Sequence, residues 1–480
     1  MTVTPERTRA SRFPMGAQAE RFTASVLAGD GLPMPNARIG PWLAERRSAC
    51  RYEVSTIPFD KLVGWRFQEG TGDLVHESGK FFSVVGLRVR TDREWDASWA
   101  QPIISQPEVG LLGIVVKEFD GVLHCLMQAK MEPGNVNTIQ LSPTVQATRS
   151  NYTGVHRGRA IPFIEYFTPD GGGRVLVDAL QSEQGAWFLN KRNRNVIVEV
   201  TGDVPEHEDF CWLTLGQIRR LLRQDNVVNM NTRSILAGLG FAPPPAETGC
   251  VLPDGLRDGL IRSLGTASPL CSPGEISSRL TEVKARRELV RQLIPLNGVA
   301  RWTHREDRIE HEDGKYFRVI AAETTASSRE VSHWTQPLLA PAGRGISALF
   351  VRMIEGTLYL LMRAQVEAGL IDVAEFGPTV QYTPRNYVDV PARHRPPFAE
   401  LVAATPPERI LYDTVLSEEG GRFYRAESRY LVALLPEDFP IDVPDEFTWM
   451  TLNQATELIR YSYHFSMQAR TLITACQSCW

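Results

Sequence analysis

The sequence predicts an α+β protein built by tandem duplication of one domain. Three observations carry that reading. The segment H-E-S-G-K-F-F at His76 recurs as H-E-D-G-K-Y-F at His311, 235 residues on. The same offset joins Trp99-Ala-Gln101-Pro102 to Trp334-Thr-Gln336-Pro337, Pro143-Thr-Val-Gln146 to Pro378-Thr-Val-Gln381, Asn151-Tyr152 to Asn386-Tyr387, and Ser182-Glu183 to Ser417-Glu418. Within each copy, β-branched and aromatic runs come first and helical spacing follows. On both flanks the offset becomes 237, from Ile57-Pro58 through Trp65 and again from Trp212 to Arg233. A period this long means whole domains rather than a solenoid.

The elements follow in order. Pro41–Tyr52 is expected to be a helix leading into copy one. Lys80–Val89, Leu111–Val116, Val122–Gln128 and Val196–Val200 are expected to be strands. Asp120-Gly121 is a hairpin turn between two of them. Gly79/Gly314 and Pro143/Pro378 are turn residues. Thr214 and Thr451 are N-caps, with Ile218, Leu221 and Leu222, or Ala455, Leu458 and Ile459, on the inner face of the helix that follows. The stretch from about 240 to 275, rich in Pro and Gly, is a linker. Ile276, Leu280, Val283 and Leu293 then mark an amphipathic helix entering copy two. The expected organisation is an N-terminal helical segment 1–56, a first repeat 57–238, a linker 239–293 and a second repeat 294–480.

Composition narrows the function classes. At 480 residues, 43% of them apolar, the chain can bury a large core. A net charge of −4 gives no reason to expect nucleic acid or an anionic membrane as partner. Seven scattered cysteines argue for a reducing compartment, and Cys476-x-x-Cys479 is expected to be a frayed tail. The opening MTVTPERTRASRFP has no apolar core of a signal peptide, and no apolar run is long enough to span a bilayer, so a cytoplasmic protein is expected. There are seven lysines against 45 arginines, so a lysine found at matched positions, such as Lys80 and Lys315, is less easily chance.

Most matched residues serve folding. Those that folding explains poorly are polar or aromatic and lie at turn edges. Trp65 and Trp302 are either core anchors or stacking platforms for a nucleotide base. Arg149-Ser150-Asn151-Tyr152 and Arg385-Asn386-Tyr387 are either solvated turns or a diphosphate fork with orienting hydrogen bonds. Strand alternation puts Gln128, Lys130 and Glu132 on one face, either an exposed strand end or the wall of a cleft. Copy two has Arg363, Gln365 and Glu367 there, so its chemistry differs. P-loop, Rossmann, H-E-x-x-H and G-x-S-x-G motifs are missing, as is the acidic R-E-x-x-E-E helix of Nudix hydrolases. Neither a metal nor an organic cofactor is expected.

The combined pattern resembles the NDP-hexose 2,3-dehydratases of actinobacterial deoxysugar pathways. The residues concerned are the Trp65 region, H-E-S-G-K-F-F, W-x-Q-P, the run Q-A-K-M-E-P-G-N-V-N-T-I-Q-L-S-P-T-V-Q-A-T from Gln128, N-Y, and their copy-two counterparts. The resemblance implies two Nudix-like repeats without the Nudix metal box, a homodimer, and a dTDP-4-keto-6-deoxy-D-glucose substrate that loses its C2 hydroxyl as water. A separate 3-ketoreductase would take the 3,4-diketo product. Nucleotide-sugar contacts would fall on Trp65 and Arg149–Tyr152, and in copy two on Trp302, Thr379, Val380, Gln381, Arg385, Asn386, Tyr387, Ser417, Glu418, Glu419 and Gly420. The C4 ketone acidifies the C3 proton, so the reaction needs a base, an electrophile and an acid. Glu132 or Glu418 is the candidate base; Lys130, Arg363 or Tyr387 is the candidate electrophile or acid. The competing functions are a Nudix-like pyrophosphohydrolase and a non-catalytic nucleotide-sugar binder.

Overall fold

The computed structural model describes residues 15–92, 97–148, 160–168, 171–245, 252–265 and 269–479. Each repeat contributes one large and one small sheet. The large sheet of the first repeat runs in the order Arg174–Ser182, Arg192–Glu199, Gly110–Phe119, Val122–Met131, Phe210–Thr214, with Ile139–Ser142 and Val145–Thr148 attached. The second repeat builds the same sheet from Ile410–Ser417, Glu427–Leu434, Gly345–Ile354, Thr357–Gln365 and Phe447–Met450. Both sheets are mixed: Arg192–Glu199 runs parallel to Gly110–Phe119, and Glu427–Leu434 parallel to Gly345–Ile354.

Local chemistry explains the hairpins and caps. Asp120 and Gly121 both have positive φ (47° and 78°), as the tight turn requires, and Glu355-Gly356 repeats this with 49° and 75°. Thr214 and Gln217 form a reciprocal capping box at helix Leu215–Leu222; Thr451 and Gln454 do the same at Leu452–Ile459. The apolar residues expected on the inner faces of these helices are buried.

The small sheets are interlocked. Strand Tyr52–Ile57, which precedes the first repeat, pairs with Phe317–Ala326 of the second, from Tyr52 opposite Ala326 to Ile57 opposite Ala321. Strand Leu289–Ile294, which precedes the second repeat, pairs with Ser83–Thr91 of the first, from Leu289 opposite Thr91 to Ile294 opposite Gly86. Between the two sheets lies one shared core, in which Phe82, Ile104 and Phe188 meet Trp302, Phe317 and Phe423. The Trp65 indole N–H donates to the Thr335 carbonyl at 3.1 Å, and Trp302 donates to Ala100 at 3.1 Å. Each tryptophan thus fastens its own small sheet to the other.

Four expectations change. The helix entering copy two is Pro273–Arg286, with Ile276 and Leu280 buried, but Leu293 lies in a strand and is exposed. Its apolar spacing continued past the point where the backbone turned extended. The helix before copy one is Asn36–Ala49, and Tyr52 already opens a strand. The expected linker holds a helix, Asp254–Leu264, whose Ser263 hydroxyl accepts from Leu452 N at 2.8 Å. Ser25 of helix Met15–Leu27 accepts from Leu215 N at 3.0 Å in the same way, so the two helices are counterparts. Cys476 and Cys479 are buried at the end of helix Met467–Gln477, not frayed, because that helix packs in the main core. No described helix is long and apolar enough to cross a membrane.

Candidate functional site

The site begins with two loops that lock across the repeats. Strand Val122–Met131 runs into Glu132-Pro-Gly134-Asn135. Gly134 N donates to Gly420 O at 2.7 Å and Arg425 N donates to Gly134 O at 2.7 Å. The other half repeats this: Gly369 N donates to Gly185 O at 2.6 Å and Asn190 N to Gly369 O at 2.7 Å. A Cβ at Gly134 would lie 1.7 Å from Phe423 O, and one at Gly369 would lie 1.8 Å from Phe188 O. Only glycine permits this approach. The lock sets Glu132 of the first repeat beside the Glu418-Glu419-Gly420 turn of the second.

Two fully buried arginines hold those turns. Arg233 donates to Ser417 O at 2.7 Å, and Arg470 donates to Ser182 O at 2.6 Å, each reaching into the other repeat. The serine hydroxyls face buried partners. Ser417 Oγ accepts from Gln140 Nε2 at 2.7 Å, whereas Ser182 Oγ donates to the Glu375 carboxylate at 2.5 and 2.6 Å.

Around the Gly134 lock lies a charged cluster. Lys130 is buried, and its ammonium donates to Gln146 O at 3.2 Å. Burial, and then the Arg329 charge, push its amine down to about 8, against the pull of Glu330, Glu132 and Glu419. Lys191, buried and donating to Glu108 O, is pushed down to about 8 by burial and by Arg422. Burial holds the Glu183 carboxyl above its ordinary range. Burial, then the Glu132 charge, raises Glu419 well above the usual carboxylate range, while Arg422 opposes the shift. Arg422 itself sits 4.2 Å over the Phe82 ring. Glu132 Oε1 accepts from Gln146 Nε2 at 2.5 Å, and Asn229 Nδ2 donates to Gln146 Oε1 at 3.0 Å, which fixes the direction of that amide.

The matched place in the other half has lost these charges. Lys130, Lys191, Glu419 and Arg422 correspond to Gln365, Ala426, Gln184 and Trp187. What remains is a cleft of about 620 Å³, walled by Trp302, His311, Tyr316, Glu367, Gln381, Tyr382, Asn386, Tyr387 and Glu418, with Trp99 and Gln101 entering from the first repeat. Glu367 accepts from Gln381 Nε2 at 3.0 Å, as Glu132 does from Gln146. Glu418 accepts from Tyr430 Oη at 3.0 Å and from Gln184 Nε2 at 2.6 Å.

The expected site residues divide accordingly. Lys130 and Glu132 fall in the charged cluster; Trp302, Gln381, Asn386, Tyr387 and Glu418 wall the cleft of the other half. Arg149, Ser150, Asn151 and Tyr152 lie outside the described residues. Trp65 is buried against Phe82 and His76. Thr379 is buried, its hydroxyl taking Phe350 N at 2.9 Å and giving to Leu361 O at 2.5 Å, and Val380 is a core strand residue beside it. Arg385 is exposed and donates to Gly314 O at 3.1 Å, and Asn386 Oδ1 accepts from Tyr316 N at 2.9 Å, so both brace the His311 hairpin. Arg363 turns away to Glu446 at 3.1 Å. Ser417 and Gly420 shape the turn that carries Glu418 and Glu419. Sequence reasoning missed Glu183, Lys191, Arg329 and Arg422. The signal for two of them was divergence: Lys191 and Arg422 are charged where the other copy has Ala426 and Trp187.

A family model of NDP-hexose 2,3-dehydratases matches residues 36–239 and again 274–476. A dTDP-4-dehydro-6-deoxy-alpha-D-glucopyranose 2,3-dehydratase of Saccharopolyspora spinosa is 48% identical over 484 aligned residues, covering 100% of this chain and 99% of its own. Proteins with the same description from Streptomyces violaceoruber (49% identical, 91% of this chain and 95% of its own) and Amycolatopsis orientalis (46%, 95% and 93%) are similar along nearly their whole lengths. With one match in each repeat and near full-length relatives, the chain belongs to the NDP-hexose 2,3-dehydratase family.

Proposed function

We propose that the chain is a dTDP-4-keto-6-deoxy-D-glucose 2,3-dehydratase, a hydro-lyase that removes the C2 hydroxyl as water and yields a 3,4-diketo-2,6-dideoxy sugar nucleotide. The observation that carries this reading is the charged cluster around the Gly134 lock. A β-hydroxy ketone eliminates water when a base takes the acidic proton between the two groups, an electrophile steadies the enolate and an acid protonates the leaving oxygen. Glu132 supplies an oriented carboxylate base. Lys130, lowered to about 8, is still mostly protonated at neutral pH and can donate to the C4 oxygen. The cleft of the other half keeps aromatic walls, hydrogen-bonding groups and the carboxylates Glu367 and Glu418, but Gln365, Ala426 and Gln184 stand where the first site has Lys130, Lys191 and Glu419, so we assign the elimination to the charged cluster.

The mixed large sheet of each repeat is in keeping with a Nudix-like ancestry. Among the described residues there is no group of three His, Cys, Asp or Glu side chains placed to hold a metal. A pyrophosphohydrolase needs such a carboxylate set for its magnesium. We further propose a cytoplasmic homodimer, followed by a 3-ketoreductase, since a 3,4-diketone is reactive. The experiment is incubation with dTDP-4-keto-6-deoxy-D-glucose, with EDTA and without. Loss of the C2 oxygen in both arms supports dehydration. Release of dTMP that EDTA abolishes supports hydrolysis, and binding without turnover supports a carrier.

A further inference from the structure

We propose that Glu419, reaching in from the second repeat, is the acid that gives its proton to the departing C2 hydroxyl in the charged site of the first repeat. This rests on the dehydratase reading and adds the origin of that proton.

Placement comes first. The Gly134–Gly420 lock brings the Glu419 turn against Glu132: a Cβ on Gly420 would lie 3.0 Å from Glu132 Cβ. Residues from both repeats therefore make one site, and Glu419 faces Lys130, Glu132, Glu183, Lys191 and Arg422 there.

The two carboxyls are differently held. Glu132 accepts from an amide whose other end is fixed by Asn229, an arrangement that suits a carboxylate, an acceptor only. On Glu419, Oε1 receives Gly421 N at 3.2 Å, while Oε2 is out of reach of solvent and has no hydrogen-bond partner. An oxygen so placed is poorly provided for as an anion and well placed as a hydroxyl. Two neighbouring carboxyls share one proton more easily than they carry two charges, and the geometry puts that proton on Glu419. Lys130 and Lys191 each give one of three N–H donors to a carbonyl, of Gln146 and Glu108, and Lys130 keeps the others for the C4 oxygen.

The cleft of the other half is an internal comparison. It retains Glu367, Gln381, Glu418 and the glycine lock, but Gln184 stands where Glu419 stands. An amide there donates a hydrogen bond to Glu418 and cannot surrender a proton.

The proton balance closes within the site. The base takes the C3 proton and an enolate forms. The C2–O bond then breaks as Glu419 O–H protonates the oxygen, giving water and a C2–C3 double bond. The resulting 3-enol returns its hydroxyl proton to the Glu419 carboxylate, and the protonated base delivers a proton to C2. The diketone is released with both carboxyls as they began.

The test uses the full chain and the variants Glu419→Gln, Glu419→Asp and Lys130→Met, each checked for fold by circular dichroism. Three rates are read: dehydration of the natural substrate, exchange of its C3 hydrogen in deuterium oxide, and fluoride release from the 2-deoxy-2-fluoro analogue, whose leaving group needs no proton. Glu419→Gln should dehydrate at least about a hundredfold slower. Its C3 exchange and fluoride release should stay within about threefold of the wild type, on the scale of general-acid effects. Glu419→Asp, which keeps an acid, should recover part of the rate. Equal loss of all three rates in folded Glu419→Gln, or unimpaired dehydration, overturns the proposal. So does finding the selective pattern in Lys130→Met instead. Should Glu419→Gln not fold, the proposal stands or falls on Glu419→Asp, which must slow dehydration more than fluoride release. A wild type that neither exchanges C3 hydrogen nor eliminates overturns the dehydratase reading and this proposal with it.

Discussion

Arg470 offers the sharpest measure of how the repeats hold one another. Its guanidinium is fully buried and donates to Ser182 O at 2.6 Å, to Ser234 Oγ at 2.9 Å and to Phe465 O. It also faces the buried Glu375 and Glu183 carboxyls. Arg470→Met keeps much of the volume, strands two carbonyls and removes a cation whose field acts on Glu375. Each buried carbonyl left without its donor costs about 1–3 kcal/mol, a large share of a domain's stability. Glu375→Gln alone should cost about 1 kcal/mol or less, on the scale of one hydrogen bond. The matched position in the first repeat is Gln140, beside Ser417 and Arg233, so that geometry already accepts an amide. The double variant should therefore recover about 2 kcal/mol of the Arg470→Met loss, as groups joined in one buried network through Ser182 do. Urea unfolding followed by circular dichroism at pH 7.5 measures all four corners of the cycle. A coupling below about 0.5 kcal/mol would mean that the charges do not sense each other and would refute the argument.

Three further outcomes are expected. Burial raises the Glu375 carboxyl to about 7 from 4.5, so its share of stability is full below pH 4.5 and is lost as pH rises through about 7. That range is worth on the order of 3 kcal/mol; urea midpoints between pH 5 and 8 should slope more steeply in the wild type than in Glu375→Gln, and identical slopes would count against it. Gly134→Ala and Gly369→Ala should each destabilise by about 1–3 kcal/mol through forced backbone contact. Only Gly134→Ala also moves Glu132 and Glu419, so it should lose the larger part of kcat; equal activity loss in both would place the chemistry elsewhere. Ala variants of Trp65, Trp302, Arg149 and Arg385 test the nucleotide grip by calorimetric titration of dTDP. Losing a base stack or a charged contact costs about 1–3 kcal/mol, or roughly tenfold in affinity, and wild-type affinity in all four folded variants would show that the nucleotide binds without them.

Local features were readable in the sequence and distant ones were not. Asp120-Gly121 and the Thr214/Gln217 box act over two to four residues, and each appears where its chemistry requires. Lys130 and Glu132 were readable because strand alternation is local too. The exchange of Tyr52–Ile57 and Leu289–Ile294 was not, since an edge strand pairs equally well with its own copy or with the other. Another cause hid part of the charged cluster. Matching one copy against the other favours positions where the two agree, and Lys191 and Arg422 are charged where the copies disagree, while Glu419 was named through the family resemblance alone. Lys130 and Lys191 are two of only seven lysines, and both lie in the cluster.

The exchanged strands bear on where such a chain came from. A forebear one repeat long would have carried the strand that completes the small sheet of a second molecule and lacked the one that completes its own. It would have been stable only as a swapped pair of identical chains, with two identical sites. Joining the genes made the pairing permanent and the two sites independent. Lys, Glu and Arg can then stand in one of them where Gln, Ala and Trp stand in the other, a freedom that no symmetric assembly of identical chains possesses.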